Sequence, residues 1–222
     1  MLVLVSLFIA FMALVYTHFA IANPENIHLV SALSFFIFGL VAWRKAISLK
    51  LETARAKLIA FLGTGGLFIS AGFLTQGSLS HILNIIGYIF LIVGVVFMFI
   101  NLYGMGYSLD PMEWIQVLIV FAVLSAVAVY MGLNNEISTL GWILTGLSLF
   151  LILIASAVLR IFWGSDLGMR WTIGVFAGIL LAIATVSYAS FMSTGNIVYS
   201  LVAHFFYTSS GVMMAILYML PD

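Results

Sequence analysis

The groups in this chain best suited to chemistry are four histidines, His18, His28, His81 and His204, with the polar residues spaced around them. His204 has Ser200 at i−4, Tyr207 at i+3 and Thr208 at i+4, spacings that share one face of a helix. His81, Asn84 and Tyr88 repeat that pattern, and Thr185 and Tyr188 lie three apart in another apolar run. On neighbouring helices, His204, Tyr207, Thr208, Ser200, Tyr188, Thr185, Asn84 and Tyr88 would form a polar pocket for a quinone, a lipid or a small neutral solute. The plainer account is that His204 hydrogen-bonds to a neighbouring helix while the other three histidines sit at a water interface. A third is axial ligation of a b-type haem, which needs two imidazoles on facing helices at matching depth. Only His18 and His204 approach that arrangement, and His204 would lie deeper by roughly 7 Å at helical rise.

Other chemistries lack their residues. With no cysteine there is no disulfide, thiolate metal site or cysteine nucleophile. His-Glu-x-x-His, Gly-x-Ser-x-Gly and phosphate-loop patterns are absent. Ser209 and Ser210 follow His204 on the same helix, so its imidazole points away from both or lies too far along to activate either. No lysine occurs after Lys57, so the last helices lack a Schiff-base amine for retinal. Met213, Met214 and Met219 offer soft thioethers, yet without close histidine partners they read as core filling rather than copper ligands. We therefore expect no enzyme activity, no metal and no cofactor.

The elements that must position these residues are membrane spans. The chain is 65% hydrophobic and 6% charged, too poor in charge to solvate a globular surface. Eight apolar runs each approach the ~20 residues that a spanning helix needs. They cover 2–22, 27–48, 57–76, 79–103, 113–133, 137–162, 170–193 and 196–220. Asn, Gly, Pro, Ser and acidic residues punctuate the breaks. Continuous apolar runs exclude the alternating strands of a membrane barrel. Ala20-Ile21-Ala22 resembles a signal-peptidase site, but no cation precedes the first run, so we expect a retained first helix. Trp114, Trp142, Trp163 and Trp171 fall near span ends, as interfacial anchors do.

All seven Lys and Arg fall in two stretches, Arg44 to Lys57 and Arg160 to Arg170. Four crossings separate these stretches, so they face one side. The positive-inside rule makes that side cytoplasmic, with both termini inside and the basic loops 44–57 and 160–170 in the cytoplasm of a cell membrane. Zero net charge gives no basic surface for nucleic acid, and the bilayer itself is the first partner.

The charge map suggests a parallel 4+4 duplication, with halves 1–106 and 112–222 inside one transmembrane domain spanning 1–222. Residues 30–36 resemble 144–150 at an offset of 114. Gly63, Gly66 and Ser70 on the third span are echoed by Gly174, Gly178 and Ala182 on the seventh. We read Gly174-x-x-x-Gly178 as a close-packing device, the alternative being room for a ligand.

No Asp, Glu, Lys or Arg lies deep in a span, and all three prolines lie outside the spans, which argues against an ion-coupled pump. The expectation is an all-α, polytopic bundle serving as a non-catalytic membrane subunit, alongside other membrane subunits, or as a small-molecule- or lipid-binding protein with its polar pocket in the outer half. Alternatives are a facilitative small-solute transporter built of two four-helix repeats and a b-haem electron-transfer anchor.

Overall fold

The computed structural model describes residues 2–51, 53–75, 77–162 and 166–220. It is all-helical among those residues: α1 (Leu2–Ala22), α2 (His28–Ser48), α3 (Ala54–Leu74), α4 (Gly77–Gly104), α5 (Pro111–Asn134), α6 (Thr139–Ile161), α7 (Asp166–Thr194) and α8 (Ile197–Met219). One 3₁₀ turn, Pro24–Asn26, joins α1 to α2. All eight helices are long and apolar enough to cross a membrane, so the chain is a multi-pass integral membrane protein in contact with lipid.

The sequence starts its helices with side-chain caps that satisfy orphan amides. Thr53 accepts from the Ala56 amide, Ser138 from Gly141 and Asn196 from Val198. At α5, Asp110 and Glu113 form a reciprocal capping box on either side of Pro111. Two helix starts lie several residues ahead of their expected places. The third helix begins at Ala54 rather than 57 because Thr53 caps it, so Arg55 and Lys57 ride on its first turn. The basic stretch is thus mostly helix end, and the turn between α2 and α3 is short. The seventh helix begins at Asp166, earlier than 170. Trp163 lies outside the described residues, as does the side chain of Trp171.

Six helices close into a ring in the order α2, α3, α4, α6, α7, α8, with α8 returning to α2. The other two lie outside it: α1 rests on α8 and α2, and α5 on α6 and α7. Their exposed apolar surfaces follow from that position, since α1 buries Met12 alone among its core residues and α5 buries Val117, Ala128 and Gly132. Arg160 at the end of α6 bridges to Glu113 at 3.2 Å and donates to Gln116, tying α5 to the ring.

Lipid tails are as apolar as leucine, so close packing and interhelical hydrogen bonds must hold the ring. Small residues allow it. A Cβ placed on Gly63 would meet Ala42 and the Gly39 carbonyl of α2, and one on Gly66 would strike Phe38. Between α3 and α4, Gly65 and Gly87 each face the other's carbonyl. Serine hydroxyls clip helices together by donating across to main-chain carbonyls, Ser70 to Ala32 and Ser210 to Ala177, each at 2.8 Å.

Candidate functional site

Most of the polar residues singled out from the sequence come together inside the ring. Thr185, Tyr207 and His204 are 1%, 4% and 2% exposed, and Tyr88 is equally buried. Thr185 donates its one hydroxyl proton to the Leu181 carbonyl at 2.7 Å. Its two lone pairs therefore receive the hydroxyls of Tyr88 and Tyr207. The result joins α4, α7 and α8 through one oxygen. His204 forms a second knot with α2: its Nδ1 lies 2.9 Å from Ser31 Oγ, which also reaches Thr208 Oγ1 at 3.3 Å. Phe73 and Tyr188 pack edge-on against the His204 ring at 5.5 and 5.9 Å, and both also contact Tyr207.

The remaining residues are less central. Ser200 is buried one turn before His204. Asn84 is buried against Gly72 of α3, one turn before Tyr88 on α4, and its Oδ1 has no hydrogen-bond partner among the described residues. His81 Nδ1 is likewise buried and unpartnered. It borders a cavity of only about 60 Å³ shared with Ser138, Thr185 and Tyr188. The end of the ring away from the basic residues is thus a hydrogen-bonded plug with room for little beyond a couple of waters.

The two haem candidates are not brought together. His18 is exposed on the outlying α1 against Phe19, whereas His204 faces Phe73 and Tyr188 inside the ring. Among the described residues no three His, Cys, Asp or Glu side chains cluster as metal ligands would.

The spacious site lies at the opposite, basic end and was not anticipated. A cavity of about 420 Å³ opens there, within the 300–1,000 Å³ range of small-molecule pockets. All six ring helices line it. Leu62, Leu91, Leu151, Gly178 and Met214 surround its depth, while Lys45, Arg55, Asn101 and Tyr218 stand nearer the helix ends. From Asn101 to Leu91 it follows ten residues of α4, about 15 Å at helical rise. Just beyond that depth the ring is filled by Tyr88, Leu181, Thr185 and Tyr207, the floor provided by the polar plug.

The Gly174-x-x-x-Gly178 stripe of α7 falls on this space. Both line the cavity, and a Cβ on Gly178 would meet only Ile152 Cγ1 at an ordinary 3.6 Å. At Gly178 the missing side chain leaves a space instead of drawing two backbones together. Only the basic stretch itself could have pointed to this site, because its apolar wall is indistinguishable in sequence from any lipid-facing surface. Compared with known proteins, the chain matches no family model, no curated protein and no solved structure.

Proposed function

We propose that this protein is a non-catalytic membrane protein that holds a small, mostly apolar molecule inside its six-helix ring, received from the basic end. The observation that carries the reading is the 420 Å³ cavity walled by all six ring helices. An apolar space of that size forfeits dispersion contacts when empty and excludes water poorly matched to its walls, so a ligand is its natural filling. The same reading takes the basic loops as cytoplasmic and both termini as inside a cell membrane, which makes the cavity inward-facing.

Native mass spectrometry of the protein released from a mild detergent tests this. We expect the chain to carry a non-covalent small-molecule adduct that is lost in Gly178→Leu, whose side chain would occupy the cavity without meeting backbone. A partner chain at fixed stoichiometry, with no adduct, would instead make the protein a structural subunit.

A facilitative transporter is favoured by one observation: the cavity is walled by α2, α3 and α4 from one half of the chain and α6, α7 and α8 from the other. The duplication finds support in Ser34 and Ser148, which at an offset of 114 both donate to the carbonyl three residues back at 2.8 Å. The outlying helices weaken it, since α1 spans the seam between α8 and α2 while α5 rests on α6 and α7 within one half. Because the chain has no cysteine, single substitutions report access cleanly. A membrane-impermeant thiol reagent should reach Ser48→Cys and Met214→Cys from the cytoplasmic side only, and Asn26→Cys only from the opposite side. Labelling of Met214→Cys from both sides of a sealed membrane would identify alternating access and a transporter.

A further inference from the structure

We propose that the ligand of the basic-end cavity is a single-chain amphiphile with an anionic head, such as a long-chain carboxylate or a monoalkyl phosphate, drawn from the bilayer. This rests on the preceding reading that the cavity is a binding site, and it assigns the chemical class.

Three features of the wall converge on that class. Its depth is lined by aliphatic side chains and glycine: Leu62, Leu91, Val95, Leu151, Gly178 and Met214. It follows α4 for about 15 Å, a length that suits one extended chain. Its charged members are Lys45 and Arg55, both cations, and no acid is among the described residues lining it. Asn101 and Tyr218 add hydrogen-bonding groups to the same wall.

The head has to supply the preference. A hydrocarbon chain moving from lipid tails into an apolar cavity gains no hydrophobic free energy, because both surroundings are equally dry. Only shape and the polar end distinguish this site from bulk bilayer. The stretch 44–57 holds five cations against one acid, Glu52, so the field at this end favours an anion. Lys45 is partly buried on the last turn of α2 and Arg55 is exposed on the first turn of α3. They approach the cavity from two helices, as a fork on a carboxylate or phosphate would require. The inference needs both positive charges at this position and is indifferent to the intrachain contacts they also make.

Basic residues at a membrane face ordinarily do no more than attract anionic headgroups, and the chain contains the control for that. Arg44 and Lys57 belong to the same stretch, are exposed and do not line the cavity. The experiment is equilibrium binding of pyrene-labelled dodecanoate to the full-length protein in nanodiscs of zwitterionic lipid, corrected for empty nanodiscs. Dodecyl phosphate, dodecanol and inorganic phosphate serve as competitors.

We expect the Lys45→Gln/Arg55→Gln pair to weaken binding about tenfold or more while Arg44→Gln/Lys57→Gln changes it less than about twofold. Dodecyl phosphate should displace the probe, and dodecanol and inorganic phosphate should not. Equal loss in the two double variants would reduce the effect to surface attraction and overturn the proposal. Displacement by dodecanol would overturn the anionic head, and displacement by inorganic phosphate would overturn the chain, with the cavity standing as a site in either case. Binding unchanged by Gly178→Leu would place the probe outside the cavity and sink the underlying reading as well. The competitor arms use wild-type protein, so the proposal stays testable if a variant fails to fold.

Discussion

Tyr207→Ala should open the non-basic end of the ring and destabilise the bundle by roughly 3–5 kcal/mol, the range for deleting a buried aromatic side chain. Tyr207 is 4% exposed and its ring touches Phe35, Phe73, Tyr188 and His204, with Phe73 nearest at 4.8 Å between centroids. Its hydroxyl is one of the two that Thr185 accepts. Deleting the side chain removes contacts from four helices at once: its own α8, α2 through Phe35, α3 through Phe73 and α7 through Tyr188. In a bilayer the unfolded helices remain in an apolar medium, so the loss is mostly packing and cavity formation, which places the effect toward the lower end of that range. Tyr207→Phe isolates the hydroxyl. Its bond is long, 3.4 Å, and interhelical hydrogen bonds in membranes average about 0.6 kcal/mol, so the phenylalanine variant should lose less than about 1 kcal/mol. Denaturation in mixed detergent micelles measures both. The alanine variant should also let an impermeant thiol reagent reach Met214→Cys from the non-basic side, because Tyr207 lies seven residues along α8 from Met214, about 10 Å toward that end. A Tyr207→Ala protein as stable and as tightly closed as its parent would show that the plug does not depend on this ring.

What the sequence disclosed was periodic and local. Eight apolar runs of spanning length can hardly fold otherwise, and the i, i+3 and i+4 spacing around His204 and Thr185 marks one face of each helix wherever the neighbours lie. Polar residues in spans need partners, which is why a list drawn from spacing alone anticipated residues that meet inside the ring. Their meeting was legible; their density was not. Whether Tyr88, Thr185 and Tyr207 enclose a ligand or satisfy one another depends on the rotation of three helices, and the apolar positions of a membrane protein face lipid and core alike, so they do not fix rotation.

The same ambiguity hid the basic-end cavity. Leu62, Leu91 and Leu151 line a space, while Leu4 and Leu133 face outward, and nothing in leucine tells the two apart. Gly178 shows a related ambiguity: G-x-x-x-G reports that a helix has a groove, and at Gly178 no neighbouring backbone fills it. The start of α3 was missed where the Thr53 cap extended the helix ahead of its apolar run.

Gly87→Ala should destabilise the protein by about 1–3 kcal/mol, the usual cost of overpacking, although alanine is the better helix former. The reason is geometric. A methyl group on Gly87 would stand 2.9 Å from the Gly65 carbonyl oxygen and 3.0 Å from the Ile69 amide nitrogen, and both are main chain that no rotamer change can move. α3 and α4 must separate to admit it, and separation weakens the neighbouring contacts of Leu91 with Gly65, on the wall of the cavity itself. Two other glycines provide the contrast. Gly146 is exposed with nothing within 4 Å of an added Cβ, and Gly178 would meet only Ile152 at 3.6 Å. Alanine at either site should be neutral or stabilising by up to about 1 kcal/mol, the helix-propensity difference between the two residues. Unfolding midpoints for the three variants in one detergent should therefore fall for Gly87 alone. If Gly178→Ala fell with it, α7 would be held by close backbone packing there, and the open space assigned to its glycines would be lost. Should Gly87→Ala keep the parent's midpoint, α3 and α4 would have slack at their crossing, and the rigid wall on which selective binding of one extended chain depends would be absent. Glycine serves opposite ends at these positions: at Gly87 it lets two helices touch, and at Gly178 it keeps the ring from filling itself.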